Sequence, residues 1–405
     1  MTQTDLRTHD VPGRSVHTAW ALLALAMGGF AIGTTEFVTM GVLPQIADGI
    51  DVSVPTAGHV VSAYAVGVVV GVPLLSIFAA HLPRKGLLLG FMGAYALFNV
   101  LSALAPSYGV LMVARFLDGL PHGAYFGIAS LVAAGLVSPE RRGRAVASVM
   151  FGLSVANLVG VPVATWLGQN LGWRATYLAA AGLALLTVAL VAVFVPRVPA
   201  REGASGRSEA RSFFSNTQVW LTMAVGAIGS GGLFAVYSYI GKIVPDVAGL
   251  SEQAVPMFVL AFGLGMVVGT PIAGELARWS VFKSLVVGSV AGVLTMVLVW
   301  IAAPHGWWLW PAIFLVTALS SVLTINLQMR LMDVAGDAVT LGAAMNHAAL
   351  NIANALGAWL GGVVIAAGYG YRSTALVGAL LALVGLVFLG ISALVALRQR
   401  SASRG

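Results

Sequence analysis

An all-α membrane protein of twelve transmembrane helices, arranged as two pseudo-symmetric six-helix bundles, is the architecture this sequence predicts, and three observations predict it. The 405 residues are 59% hydrophobic and only 9% charged. The apolar residues fall into twelve long runs. The second half also slides onto the first at one offset of 198 residues, without a gap. About 20 apolar residues span the roughly 30 Å of bilayer hydrocarbon as a helix, where every backbone group must be satisfied internally. The runs are too long and too continuous for the strands of a barrel.

Between polar or Gly/Pro breaks the runs occupy residues 19–43, 56–80, 86–105, 108–136, 145–168 and 173–195, then 217–244, 253–277, 282–303, 307–330, 339–366 and 372–397. The first run is long and lacks a small-residue cleavage site after a short core, so it is expected to stay as the first helix. Loops on one side hold seventeen of the 21 basic residues, among them Arg84, Lys85, Arg141, Arg142, Arg144, Arg278 and Lys283. The other side holds Arg174, Lys242 and Arg372, and Arg115 is intramembrane. That bias places both termini in the cytoplasm. The net charge of +7 is then a topology signal, so no nucleic-acid partner is expected. Zero cysteines exclude disulfides and thiolate metal sites, and no metal or cofactor is expected beyond a proton gradient. The Ala/Gly/Val/Arg-rich, Lys-poor usage points to a high-GC bacterium, and the expected location is the bacterial cytoplasmic (inner) membrane.

The longest polar interval begins after Pro196 and reads as a cytoplasmic linker, 197–215, between bundles at 1–196 and 216–405. At the offset of 198, Gly71-Val72-Pro73 falls on Gly269-Thr270-Pro271, Lys85 on Lys283, Gly90 on Gly288, and Gly172-Trp173-Arg174 on Gly370-Tyr371-Arg372. Matches in several helices with no gap indicate a duplication. Two parallel repeats around an axis normal to the membrane imply alternating access to a midplane site. Gly67-x-x-x-Gly71 and Gly265-x-x-x-Gly269 suggest close helix contacts. Pro73, Pro162 and Pro271 suggest bends.

Gly33-Thr34-Thr35-Glu36-Phe37-Val38, Arg115-Phe116-Leu117-Asp118-Gly119-Leu120-Pro121-His122-Gly123 and Gly160-Val161-Pro162 resemble the drug:proton antiporter branch of the major facilitator superfamily, over essentially the full chain. Within it the sequence is similar to bacterial exporters of sugars, purine nucleosides or chloramphenicol-type drugs. The resemblance implies a monomeric carrier whose first, fourth, seventh and tenth helices surround a cavity. Two departures stand out. The family's loop motif between helices two and three, Gly-x-x-x-Asp-Arg-x-Gly-Arg-Arg, survives only as Arg84 and Lys85, with Ala80 at the Asp position; Arg84 and Lys85 therefore fit topology anchors as well as a gating loop. Val161 separates the Gly and Pro of the fifth-helix motif.

Three charges lie deep within apolar runs: Glu36, Arg115 and Asp118. Each lone charge at a membrane centre costs on the order of 2.5 to 3.5 kcal/mol, a cost tolerated mainly where charges pair or face a wet cavity. Arg115, Asp118 and His122 follow i, i+3, i+7, and Tyr125 and Phe126 continue the stripe. Glu36 lies at a similar depth to Arg115, which permits a pair. Two acids sharing one base leave one carboxylate to find a partner or a proton, so Glu36 and Asp118 are the candidates for proton coupling and Arg115 for the switch. A permanent ion pair holding helices together is the structural alternative. His122, Tyr125, Phe126, Tyr237, Asn326, His347 and Asn351 are the candidate substrate contacts, with helix-packing hydrogen bonds as the alternative for His122, Tyr237, Asn326, His347 and Asn351. Neither His-Glu-x-x-His nor Gly-x-Ser-x-Gly occurs, so an enzyme is not expected. The expected function is proton-coupled export of a small organic molecule, with proton-coupled uptake on the same fold as the rival.

Overall fold

The computed structural model describes residues 12–79, 82–138, 141–197, 211, 213–336 and 339–402. Among them are twelve long helical rods: α1 (Pro12–Gly41), α2 (Val54–Ala79), α3 (Arg84–Leu104), α4 (Tyr108–Gly135), α5 (142–171), α6 (Trp173–Phe194), α7 (Thr217–Val247), α8 (Val255–Trp279), α9 (Val281–Ala302), α10 (Leu309–Val334), α11 (Val339–Val364) and α12 (Ser373–Ala402). A short unpredicted helix, Leu43–Gly49, with Pro44 in its first turn, caps the exit from α1. Ala80, His81 and most of the predicted linker lie outside the described residues.

Eleven of the rods are long and apolar enough to cross a membrane by composition alone. The exception is α4, whose mean hydropathy is lowered by Arg115, Asp118, Pro121 and His122. The helix with the weakest membrane signal therefore carries the densest polar chemistry.

The rods form two bundles of six related by the 198-residue register, and the register is visible in the contacts. A Cβ on Gly67 would strike the carbonyl oxygen of Phe116, and one on Gly265 would strike that of Phe314, the equivalent residue. Gly71 meets the Leu120 carbonyl as Gly269 meets that of Ala318. In both bundles, then, the glycine pair lets the second helix lie directly on the backbone of the fourth, an approach no larger residue permits. Gly172 (φ +88°) and Gly370 (φ +74°) both turn the chain into the sixth helix with left-handed backbone. The arginines that follow also do equivalent work. Arg174 donates to the Ala105 carbonyl just beyond α3 at 3.2 Å, and Arg372 donates to the Trp300 carbonyl at the end of α9 at 2.7 Å. Each guanidinium satisfies an orphan carbonyl at the negative end of a helix.

α5 is interrupted by one π-helical turn, Ala156–Gly160. Pro162, second in the segment that follows, has no N–H to give the preceding turn, which accounts for the slipped ladder. The bundles meet where α2 lies against α11 and α8 against α5, pairings that are themselves equivalent under the repeat. The hydrogen bonds that join the two sets of helices at Ser62 and Gln169 fall in the half of the molecule opposite the ends of α1 and α12 that lie next to the chain termini. There Ser62 donates to the Ala355 carbonyl (3.1 Å) and Gln169 to that of Glu252 (3.0 Å). The Tyr239 side chain fills a recess floored by Gly58, Gly361 and Gly362, its hydroxyl donating to Ala358 at 2.7 Å. Phe37 of α1 stacks on Phe234 of α7.

Candidate transport site

Below that seal, toward the half that carries the termini, a cavity of about 270 Å³ lies between the bundles. Its first-bundle wall comes from α1 (Glu36, Phe37), α4 (His122) and α5 (Met150, Leu153, Ser154, Asn157). Its second-bundle wall draws on α7 through α12. The four helices expected around the cavity, α1, α4, α7 and α10, all contribute to its wall, and α5, α8, α9, α11 and α12 widen it, mostly from bundle two.

Glu36 is buried and lines this cavity. Its neighbours Thr34 and Thr35 turn their hydroxyls back to the carbonyls of Phe30 and Ala31, one turn earlier, leaving the carboxylate as the polar feature of that stretch. The Glu36 side chain does not pair with Arg115. Arg115 instead binds Asp118 through Nη1 and Oδ2 at 2.5 Å, both side chains being fully buried. The i, i+3 spacing puts the two on one helical face, so they pair without any approach between helices.

Close packing of α2 on α4 completes the surroundings of this pair. Gly119 leaves no room for a side chain against the Tyr64 carbonyl, and the Tyr64 ring lies 4.3 Å from the Arg115 guanidinium. Tyr177 lies on it at 5.2 Å. Two aromatic faces thus supply the cation with the attraction that water would give outside the membrane. Asn99 Nδ2 donates to the other oxygen of Asp118 at 2.7 Å. Asp118 is doubly held, whereas Nε and Nη2 of Arg115 find no partner. Glu36 remains within electrostatic range of Arg115.

His122 links the pair to the cavity. One of its ring nitrogens, Nδ1, shares a 2.8 Å hydrogen bond with the Tyr64 hydroxyl, which reaches that of Tyr95 at 3.2 Å. Across the bundle interface its ring centre lies 6.4 Å from that of His347, which stacks on Phe126 at 5.4 Å.

Of the seven residues expected at the substrate, the structure brings His122, Tyr237, His347 and Asn351 to the cavity wall. The other three are displaced from it. Tyr125 points into α1, donating to the Leu25 carbonyl at 2.8 Å and lying on Gly28, because it is one position round the helix from Phe126. Phe126 stands behind His347 rather than on the wall. Asn326 donates to the carbonyls of Ala273 and Val322, bonding within and between helices. Arg84 and Lys85 are half-buried, and Lys85 donates to the Ala192 carbonyl in the last turn of α6 at 2.8 Å, an anchoring contact. Sequence reasoning missed Ser230, Ser289, Thr317 and Ser321 on the wall. Ser230 and Ser289 are isolated hydroxyls in apolar helices with no periodicity to mark them, whereas Thr317 and Ser321, with Thr324 and Gln328, follow i, i+4, i+7, i+11 and formed a readable stripe.

The profile of the Major Facilitator Superfamily matches residues 25–346. The chain is 39% identical over 386 residues to the inner membrane transport protein YdhP of Escherichia coli (strain K12), spanning 92% of this chain and 96% of that one. It is 34% identical over 343 residues to a chloramphenicol resistance protein of Streptomyces lividans, with coverage of 83% and 86%. Among solved structures, the nucleoside transporter NupG superposes with a TM-score of 0.73 at 14% identity, over 93% of this chain and 99% of that one. A D-xylose–proton symporter superposes with a TM-score of 0.74 at 15% identity, over 92% and 97%. At such identities the two superpositions speak to fold alone.

Proposed function

From the premise that the chain belongs to the major facilitator superfamily, as a multi-pass transporter of small solutes, we propose that it exports a small organic molecule in exchange for protons, with Glu36 carrying the proton. The observation that carries the proposal is the division of labour between the two acids. Asp118 is held by Arg115 and Asn99, while Glu36 faces the cavity with no bonded partner among the described contacts. Arg115 keeps two unused donors within electrostatic range of Glu36. A rocking motion that turns those donors toward Glu36 lowers its proton affinity, and one that turns them away restores it. Asp118 and Asn99 fix the guanidinium, and Tyr64 and His122 relay its position to the cavity.

The exporting direction is supported by the efflux and resistance names among the relatives. With both termini in the cytoplasm, as the basic loops indicate, the sealed half is the outer one and the structure is inward-facing. The bundle limits proposed are 1–196 and 216–405, joined by the linker 197–215. One proton crossing about 100 mV yields about 2.3 kcal/mol, enough for roughly a 50-fold gradient of a neutral solute.

Proteoliposomes with an imposed pH gradient test the proposal. Efflux of chloramphenicol as the trial solute should be accompanied by opposite proton movement. Glu36→Gln should abolish uphill transport yet keep solute exchange. Co-directional proton movement would turn the reading to uptake, and gradient-driven transport by Glu36→Gln would remove Glu36 from the mechanism.

A further inference from the structure

Five buried polar atoms on residues that line the cavity have no hydrogen-bond partner: Ser230 Oγ, Tyr237 OH, Ser289 Oγ, Asn346 Oδ1 and Asn351 Oδ1. All five residues are more than nine-tenths buried, and all belong to the second bundle, on α7, α9 and α11. An unmade hydrogen bond at a buried group carries its full desolvation penalty, so native interiors rarely hold several side by side. Five around one cavity indicate a wall completed by something that enters it.

Their chemistry restricts what enters. The two amide oxygens only accept, so the incoming molecule must offer O–H or N–H groups; the three hydroxyls both donate and accept. No Lys or Arg lines the cavity among the described residues, and Glu36 stands opposite, which disfavours phosphates and carboxylates. A cation without donors would leave the amide oxygens unmatched. Phe37 and Phe262 add flat apolar surface on the lining. A cavity of about 270 Å³ is small beside the roughly 300–1,000 Å³ of typical ligand pockets, so the molecule is compact.

We infer that these five groups form the substrate's hydrogen-bonding wall, and that the substrate is a small uncharged molecule carrying several hydroxyl or amide groups beside one flat apolar ring. The inference rests on reading this cavity as the transport site. It assigns the solute to bundle two and the proton to bundle one, so each moves with a different half of the molecule.

Equilibrium binding to the purified full chain at one fixed pH provides the test. Chloramphenicol and uridine serve as neutral probes, tetraphenylphosphonium as a cation without donors, and uridine 5′-monophosphate as the anion. At least one neutral probe should bind, and the monophosphate at least about 10-fold more weakly than uridine. Tyr237→Phe and Ser289→Ala should each weaken the neutral probe about 3- to 10-fold, the range that one hydrogen bond supplies. Each should leave the thermal unfolding temperature of the ligand-free protein unchanged or raised, because it deletes an unsatisfied group; a packing role would lower it. The inference is overturned if neither neutral probe binds, if tetraphenylphosphonium binds more tightly than both, or if both substitutions leave neutral-probe affinity unchanged. Neutral-probe binding that depends on both wall residues, together with gradient-driven transport retained in Glu36→Gln, would sink the coupling reading and spare this one. Proton-driven export of a cation, indifferent to both wall substitutions, would do the reverse.

Discussion

The two bundles share a skeleton and differ in filling. Under the repeat, Arg115 corresponds to Ile313, Asp118 to Val316, Tyr64 to Phe262, Asn99 to Val297 and Glu36 to Phe234. Ile313 and Val316 are as completely buried as the charges they stand for. The backbone contacts around them, Gly67 on Phe116 and Gly265 on Phe314, are the same. A helix pair that accepts either a desolvated ion pair or two aliphatic side chains does not depend on the ions for its geometry. The difference between the bundles therefore separates what builds the carrier from what is proposed to drive it.

Transplanting one filling into the other skeleton gives the largest expected effect. Arg115→Ile alone strands Asp118 in the interior and should cost about 3–5 kcal/mol of stability. Adding Asp118→Val, the residue of the other bundle, should recover that loss or exceed it by about 1–4 kcal/mol, since well-packed aliphatic groups often replace a buried ion pair without penalty. Thermal unfolding of both variants reads this directly, and the double variant should be stable yet inert in proton-driven transport. A double variant no more stable than the single one would show that the ions hold the first bundle together.

The glycine contacts should respond alike in both halves. Gly67→Ala and Gly265→Ala each force a Cβ against a carbonyl oxygen and should cost about 1–3 kcal/mol by overpacking, with thermal midpoints falling in parallel. A silent substitution on one side alone would mean that only one bundle relies on close approach. At Gly172 and Gly370 an alanine must adopt a positive φ, and about 1–2 kcal/mol should be lost at each. The smallest change is expected for Arg174→Ala and Arg372→Ala, about 0.3–1 kcal/mol each, since each removes a helix-end contact near the membrane surface. Matched melting shifts for the two arginines would extend the repeat to its periphery.

The number of helices, their limits to within a few residues and the duplication were all legible in the sequence, because a bilayer forces long apolar runs and a duplicated glycine keeps its spacing. Hydropathy alone gives α4 the weakest signal, since Arg115, Asp118 and His122 lower its mean, although its run at 108–136 was legible. The partner of Arg115 was ambiguous, because depth along a helix permits a bond to Glu36 whereas rotation about the axis decides for Asp118. Rotation likewise separates Tyr125, which bonds α1, from His122, which reaches the cavity, although both sit on one predicted stripe. Ser230 and Ser289 were illegible, for a lone hydroxyl in a lipid-span sequence looks the same whether it faces a void or a neighbouring helix.

Tyr239 ties its hydroxyl to Ala358 of its own bundle, and Gly58 of the other bundle merely leaves space for it. The knob is therefore held in place by its own half, and the opposing surface is smooth. Closing the seal needs no side chain to be frozen at the moment of contact, and parting it there breaks no bond of the tyrosine. Such a contact holds by shape, and the hydrogen bonds that parting the halves must break lie elsewhere, at Ser62 and Gln169, where they cross the divide.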